Sequence, residues 1–250
     1  MDSKNRILNI DFNNISKQEL LEKLTRGFLV TPNVDHLVKL QKDKEFYNVY
    51  QSADWVICDS KIVGLALRFL RSPIKEVIPG SSFFPAFCEF HKNNENVRIF
   101  LLGAAEGVAL KARENINKKI GREIVVGAHS PSYGFEKNLK ECNEIIDIIN
   151  STDATVLLVG VGAPKQEKWI YHNRNKLNKI KLFLPLGATI DFEAGKIKRA
   201  PMFFQRFALE WLYRIYCEPK RMFKRYFCDD LSFFVYLFKD FFRMYKNPFA

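Results

Sequence analysis

Asp59 directly follows the apolar run DWVIC, so its carboxylate falls at the end of a candidate strand. A carboxylate at the rim of a sheet can meet a ligand, or it can cap the helix suggested by Ser60 to Leu70; the residues alone leave both open. Thr31, Asn33 and His36 follow the run GFLV in the order Thr-x-Asn-x-x-His. Thr31 and Asn33 can hydrogen-bond the hydroxyls of a polar ligand, or form a turn and cap entering the next helix, into which His36 would pack. The strand-like run Ala154 to Val159 feeds the turn Gly160-x-Gly162, and Pro164 stands where a helix would begin. Backbone N–H groups and a helix dipole at the carboxyl end of a strand suit a phosphate. Lys165, Gln166 and Glu167 then either face that ligand or form the polar start of a surface helix. The dinucleotide fingerprint fails, because its third glycine would fall at Lys165 and no acidic residue stands about twenty positions past Gly162. Asp191, in the segment LGATIDFEAGKIKRAP from Leu186 to Pro201, either binds a ligand or braces the loop before Gly195. Arg214, Arg221 and Arg225 stand seven and four residues apart, near one face if their helices are continuous. Converging guanidinium groups suit a diphosphate through bidentate bonds; a solvated or lipid-facing basic face is the alternative.

These residues need elements to hold them. Short apolar runs at 7–11, 27–31, 54–58, 97–102, 123–127, 154–159 and 181–186 alternate with amphipathic stretches at 16–26, 35–51, 60–71, 80–92, 105–119, 138–150 and 164–176. The alternation predicts an α/β fold, a Rossmann-like, mostly parallel sheet with helices on both faces. Ligands in such sheets bind beyond the carboxyl ends of the strands, which is where Thr31, Asp59, Gly103, Gly160 and Asp191 fall. After Pro201 the pattern turns wholly helical, at 203–217, 220–228 and 231–245. The expected organisation is an α/β domain over 1–200 and a basic, aromatic helical appendage over 201–250.

With 250 residues the chain can bury one good core but not two full-sized ones. Its charged first residues predict no secretory signal, and hence a cytoplasmic protein. Five cysteines without a C-x-x-C pair and four scattered histidines predict free thiols and no metal site, and no cofactor is expected. The net charge of +11 calls for an anionic partner: phosphorylated small molecules, an anionic membrane surface or nucleic acid. From Lys196 onward twelve Lys/Arg face five Asp/Glu, with 17 of the 35 aromatic residues, so the basic excess and the aromatic residues concentrate together. Segment 231–245 is too short and too charged to span a bilayer. Leu231, Phe234, Phe238, Phe241 and Tyr245 share a helical face that could lie in an interface or pack on a partner.

The string VGVGAPKQEKW from Val159 to Trp169, with LGATIDFEAGKIKRAP after it, resembles the WecG/TagA/CpsF family of bacterial glycosyltransferases. There a Gly-x-Gly-x-Pro-Lys-Gln-Glu-x-Trp segment precedes Phe-Asp-x-x-Ala-Gly-x-x-x-Arg-Ala-Pro. The Thr-x-Asn-x-x-His order and the string LEWLYRIYCEPKRMFKR match further family patterns, so the resemblance runs from about residue 28 to 228. It implies an inverting, metal-independent transferase that moves a hexose of the N-acetylmannosamine type from a UDP-sugar to an undecaprenyl-diphosphate-linked sugar, in cell-envelope or extracellular polysaccharide synthesis. It implies Asp59 as general base, with Thr31, Asn33, His36, Gln166 and Asp191 toward the sugars. Gly103, Gly160, Gly162, Lys165, Arg214, Arg221 and Arg225 fall to the nucleotide and its diphosphate. The partners implied are the donor, the lipid-linked acceptor and the inner face of the cell membrane, held peripherally; nucleic acid is not expected, and a homo-oligomer is open. The alternative is a non-catalytic membrane- or nucleic-acid-binding protein on the same fold. The chain departs from the pattern around Gly80: where the family commonly reads Arg-Val-x-Gly-x-Asp, it has Val77 and Ser82 in place of the charged residues, with Lys75 or Arg71 as partial substitutes.

Overall fold

The computed structural model describes residues 4–197 and 231–250. Its centre is a six-stranded, wholly parallel sheet in the order β4-β3-β8-β7-β5-β6: β3 (Gly27–Val30), β4 (Trp55–Val56), β5 (Ile99–Gly103), β6 (Val125–His129), β7 (Val156–Gly160) and β8 (Leu182–Pro185). Every residue of β5 and β7 is buried, as expected for strands covered on both faces. Phe28, Phe100, Leu102, Leu157 and Val159 point into one layer of core, and Leu29, Leu101, Leu158 and Leu184 into the other. This is the expected α/β architecture.

Among the described residues the α-helices are α1 (Lys17–Lys23), α2 (Val34–Lys39), α3 (Lys44–Gln51), α4 (Lys61–Phe69), α5 (Gly80–Phe90), α6 (Val108–Ile120), α7 (Leu139–Asn150), α8 (Lys165–Asn173), α9 (Thr189–Glu193) and α10 (Leu231–Phe241). Local chemistry sets several of their starts. Ser16 and Glu19 form the reciprocal capping box that begins α1, and Asn33 and Asp43 cap α2 and α3 by accepting the N–H groups of His36 and Phe46.

Four boundaries differ from the sequence reading. The run at 7–11 is not one strand but the turn of an antiparallel hairpin, β1 (Lys4–Ile7) with β2 (Ile10–Asn13), in which Ile7 pairs with Ile10. Leu8 adopts a left-handed φ of 54° there and its apolar side chain stays buried, so composition hid the turn. The helix expected at 35–51 is interrupted, because the Asp43 cap starts a new helix after Leu40 closes the first. The strand at 54–58 shrinks to two residues at the sheet edge. Residues after β8 form the short helix α9, which the loop-like composition of Leu186 to Gly195 concealed.

The final segment packs back on the beginning of the chain. Phe233 and Leu237 of α10 join the core cluster of the hairpin, Asp240 Oδ2 accepts the Leu8 N–H at 2.7 Å, and Tyr245 donates to Gln41 Oε1 at 2.5 Å. Leu231, Phe234, Phe238 and Phe241 stay exposed on the opposite face, as their shared spacing suggested, while Tyr245 is half-buried against the core. Of the tail helices, 203–217 and 220–228 lie outside the described residues.

Candidate active site

Loops leaving the carboxyl ends of all six strands enclose a cleft of about 1190 Å³. Thr31 and Asn33 come from the end of β3, Asp59 from β4, Ala104 and Ala105 from β5, and Tyr133 from β6. Gly160, Gly162, Lys165 and Gln166 follow β7, and Gly187 and Asp191 follow β8.

The two readings of Asp59 resolve unexpectedly. The N-cap of α4 is Ser60, so Asp59 does not cap the helix that follows it. Its Oδ1 instead accepts the N–H of Gly80, the first residue of α5, at 2.7 Å. The positive end of α5 thus holds the carboxylate in the cleft through a charge-assisted bond. The main chain keeps the two segments aligned, because Ile78 donates its N–H to the Cys58 carbonyl at 2.7 Å. Lys75, a proposed stand-in for the missing family arginine, is instead paired with Glu19 Oε1 at 2.8 Å and does not line the cleft; neither does Arg71.

Thr31 is buried at the cleft wall, and Asn33 both lines the cleft and caps α2. His36 also lines it, with Nδ1 2.6 Å from the Tyr50 hydroxyl and its ring edge-on to Phe46 and Tyr50. Burial, with the charges of Glu167, Asp59 and Asp35 nearby, raises the Tyr50 phenol well above its usual range, so Tyr50 stays protonated.

Gln166 is 2 % exposed, and its amide is engaged on both sides. Its Oε1 accepts the N–H of Gly162 at 3.1 Å and of Gly187 at 3.2 Å; its Nε2 donates to the Pro185 carbonyl at 3.1 Å and Glu167 Oε1 at 2.8 Å. One side chain therefore staples the loops after β7 and β8. Glu167 is fully buried, and burial lifts its carboxyl to about 7. Gly103 and Gly160 serve close approach rather than contact with a ligand alone. A Cβ on Gly103 would stand 2.5 Å from the Gly160 oxygen, and one on Gly160 would stand 2.6 Å from the Gly187 oxygen. Gly103 itself sits behind the cleft, with Ala104 and Ala105 on its surface.

Asp191 does both things its sequence context allowed: its carboxylate lines the cleft 3.8 Å from Lys196 Nζ, and its carbonyl accepts the N–H groups of Lys196 and Ile197, bracing the turn. Lys165 Nζ pairs with Glu136 at 3.3 Å and lies over the exposed Tyr133 ring, 4.6 Å from its centre. Among the described lining residues, Lys39, Lys42 and Lys165 face the five carboxylates of Asp35, Asp59, Glu106, Glu136 and Asp191. Arg214, Arg221 and Arg225 lie outside the described residues. Among the described residues no three His, Cys, Asp or Glu side chains are grouped to hold a metal ion.

Sequence reasoning missed Tyr50 and took Glu167 for part of a polar helix start, while Asp35 and Gly187 fell within the strand-end segments 31–36 and 187–191 without roles of their own. A signal for Glu167 was present, since it stands three residues before Ile170 on the buried face of α8.

The family model for "Glycosyl transferase WecG/TagA/CpsF family" matches residues 5–247. Among curated proteins the chain is 27% identical, over 80% of its own length and 75% of the relative's, to the N-acetylglucosaminyldiphosphoundecaprenol N-acetyl-beta-D-mannosaminyltransferase of Bacillus spizizenii strain W23. It is 26% identical to the protein of the same description from Staphylococcus aureus strain MRSA252, over 86% of this chain and 85% of that one. With a match across nearly its whole length, and strand-end loops converging on one cleft, the chain belongs to the WecG/TagA/CpsF family of glycosyltransferases.

Proposed function

We propose that this enzyme moves a hexose of the N-acetylmannosamine type from a UDP-sugar to a polyprenyl-diphosphate-linked sugar, with inversion and without a metal ion. The observation that carries the reading is Asp59, a carboxylate fixed in the cleft by the α5 N-terminus among Thr31, Asn33 and His36. The relatives named for transfer of N-acetylmannosamine to an N-acetylglucosaminyl-diphosphoundecaprenol supply the substrate class.

In this mechanism Asp59 removes the proton of the acceptor hydroxyl as its oxygen attacks the anomeric carbon, opposite the departing nucleoside diphosphate. Thr31, Asn33 and His36 orient the sugars, and Asp191 holds donor hydroxyls. The leaving diphosphate gains charge as the bond breaks, and that charge must be neutralised. The described lining has more carboxylates than ammonium groups, so the burden falls on Lys165 and on Arg214, Arg221 and Arg225. Absence of any Asp-x-Asp triplet from the sequence supports positive side chains in place of a divalent ion. The lipid-linked acceptor would bring the enzyme to the inner face of the membrane, where basic residues and the exposed face of α10 can engage anionic lipid.

Asp59→Asn keeps the shape and an oxygen to accept the Gly80 N–H but removes the base. Turnover should fall about 10²- to 10⁴-fold with UDP affinity nearly unchanged. Undiminished transfer to a short-chain lipid-diphosphate acceptor would remove Asp59 from the mechanism. Transfer should also persist in EDTA; activity lost on chelation and restored by magnesium or manganese would overturn the metal-free reading and with it the assignment of the three arginines.

A further inference from the structure

Directly beneath the cleft wall lies an acid that the reaction itself does not use. Glu167 is 0 % exposed; its Oε1 accepts from Gln166, and its Oε2 has no hydrogen-bond partner among the described residues. Gln166 in turn holds the N–H groups of Gly162, in the turn assigned above to the nucleotide, and of Gly187, in the adjoining loop after β8. Glu167 thus stands one amide away from the place where a diphosphate would lie.

The groups facing it leave little to stabilise a negative charge. Lys39 and Asp35 approach from α2, but Lys39 Nζ is already 2.8 Å from Asp35 Oδ2. Tyr50 approaches from α3 with its hydroxyl engaged by His36. On its own helix, Lys165 is paired with Glu136, and Lys168 with Asp43 and Glu45. Among the described residues, the cleft surface above carries five carboxylates against three lysines. A sixth negative charge beneath it would oppose an anionic ligand, and the low-dielectric interior would screen that opposition poorly.

We propose that Glu167 is a positioning residue that binds a proton when a nucleoside diphosphate enters the cleft, so that the Gln166 staple is held by a neutral acid and not by a carboxylate. The inference rests on the nucleotide reading of the cleft. It accounts for a carboxyl, rather than an amide or an apolar side chain, in a site where one oxygen lacks a partner. Because burial places the free acid's pKa at about 7, the group is divided between its two forms at neutral pH, and a small push from an anion shifts it. The proton comes from solvent and returns to it when the nucleotide leaves.

The test is titration calorimetry with UDP-N-acetylmannosamine, whose diphosphate is a diester with no proton to exchange near neutrality. Repeating it at pH 7.5 in buffers of different ionisation enthalpy counts the protons taken up. If binding raises the acid by one pH unit, uptake is about half a proton, and the dissociation constant rises about fivefold from pH 6 to pH 8. Glu167→Gln should bind at every pH with no uptake and a flat profile. Binding by the wild type without proton uptake, or equal uptake in the Gln variant, overturns the proposal while leaving the nucleotide cleft in place. Failure of the wild type to bind at any pH sinks the nucleotide reading and this inference together. Should the variant not fold, the carbonyl stretch of a protonated carboxylic acid decides: growth on adding the donor to the wild type supports the proposal, and no change overturns it.

Discussion

Glu167 also makes a statement about stability. Its carboxyl titrates near 7 in the folded chain against an ordinary value of 4.5, so the folded state prefers the protonated form. Stability from this group is complete below about pH 4.5 and is lost as pH rises toward 7, because the unfolded chain gives up its proton first. The loss is on the order of 3 kcal/mol once both forms are ionised. Glu167→Gln should therefore raise the melting temperature at pH 8 and change it little at pH 4.5; thermal denaturation of both proteins at both values checks this. A variant no more stable at pH 8 would mean that Lys39 neutralises the carboxylate after all.

Gln166 works between elements. By accepting from Gly162 and Gly187 and donating to Pro185, it ties the start of α8 to the segment between β8 and α9. Gln166→Ala would leave those groups without their partner, at a cost of about 1–3 kcal/mol, and free two loops that must act together. Nucleotide affinity should fall at least about tenfold while the circular dichroism of the α/β core persists; unchanged affinity would show that the loops hold their shape by packing alone. The string GAPKQE announced this corner of the molecule, but only the fold could show that Gln166 faces inward. Strong periodicity made α6, α7, β5 and β7 readable, since buried strands and amphipathic helices follow from local pattern. Asp59 was readable as a strand-end carboxylate, whereas its bond to Gly80, twenty-one residues on, depends on how α5 packs beside β4. The hairpin at Leu8, the interruption at Asp43 and α9 escaped for the same kind of reason: a buried turn residue, a cap inside an apolar pattern, and a helix of five residues held by its neighbours.

At the level of the entire chain, α10 has two faces with different work. Phe233 and Leu237 complete the core under the hairpin, while Phe234 and Phe238, with Phe242 just past the helix end, stand at 47%, 56% and 62% exposure. Replacing those three exposed residues with Ser should abolish co-sedimentation with anionic liposomes yet leave the fold intact, which removal of the whole segment would not. Retained binding would place the membrane contact elsewhere. The bond from Leu8 to Asp240 closes a loop of 232 residues, the sort of contact whose entropic cost defers it to the end of folding. Asp240→Ala should accordingly leave the refolding limb of a chevron plot nearly unmoved and raise the unfolding rate, a φ-value near zero. The Leu8 amide, whose acceptor lies 232 residues further along, should therefore exchange with solvent in step with the undocking of α10, so that one hydrogen-exchange rate in the hairpin reports on the hold of a helix far from it in the sequence.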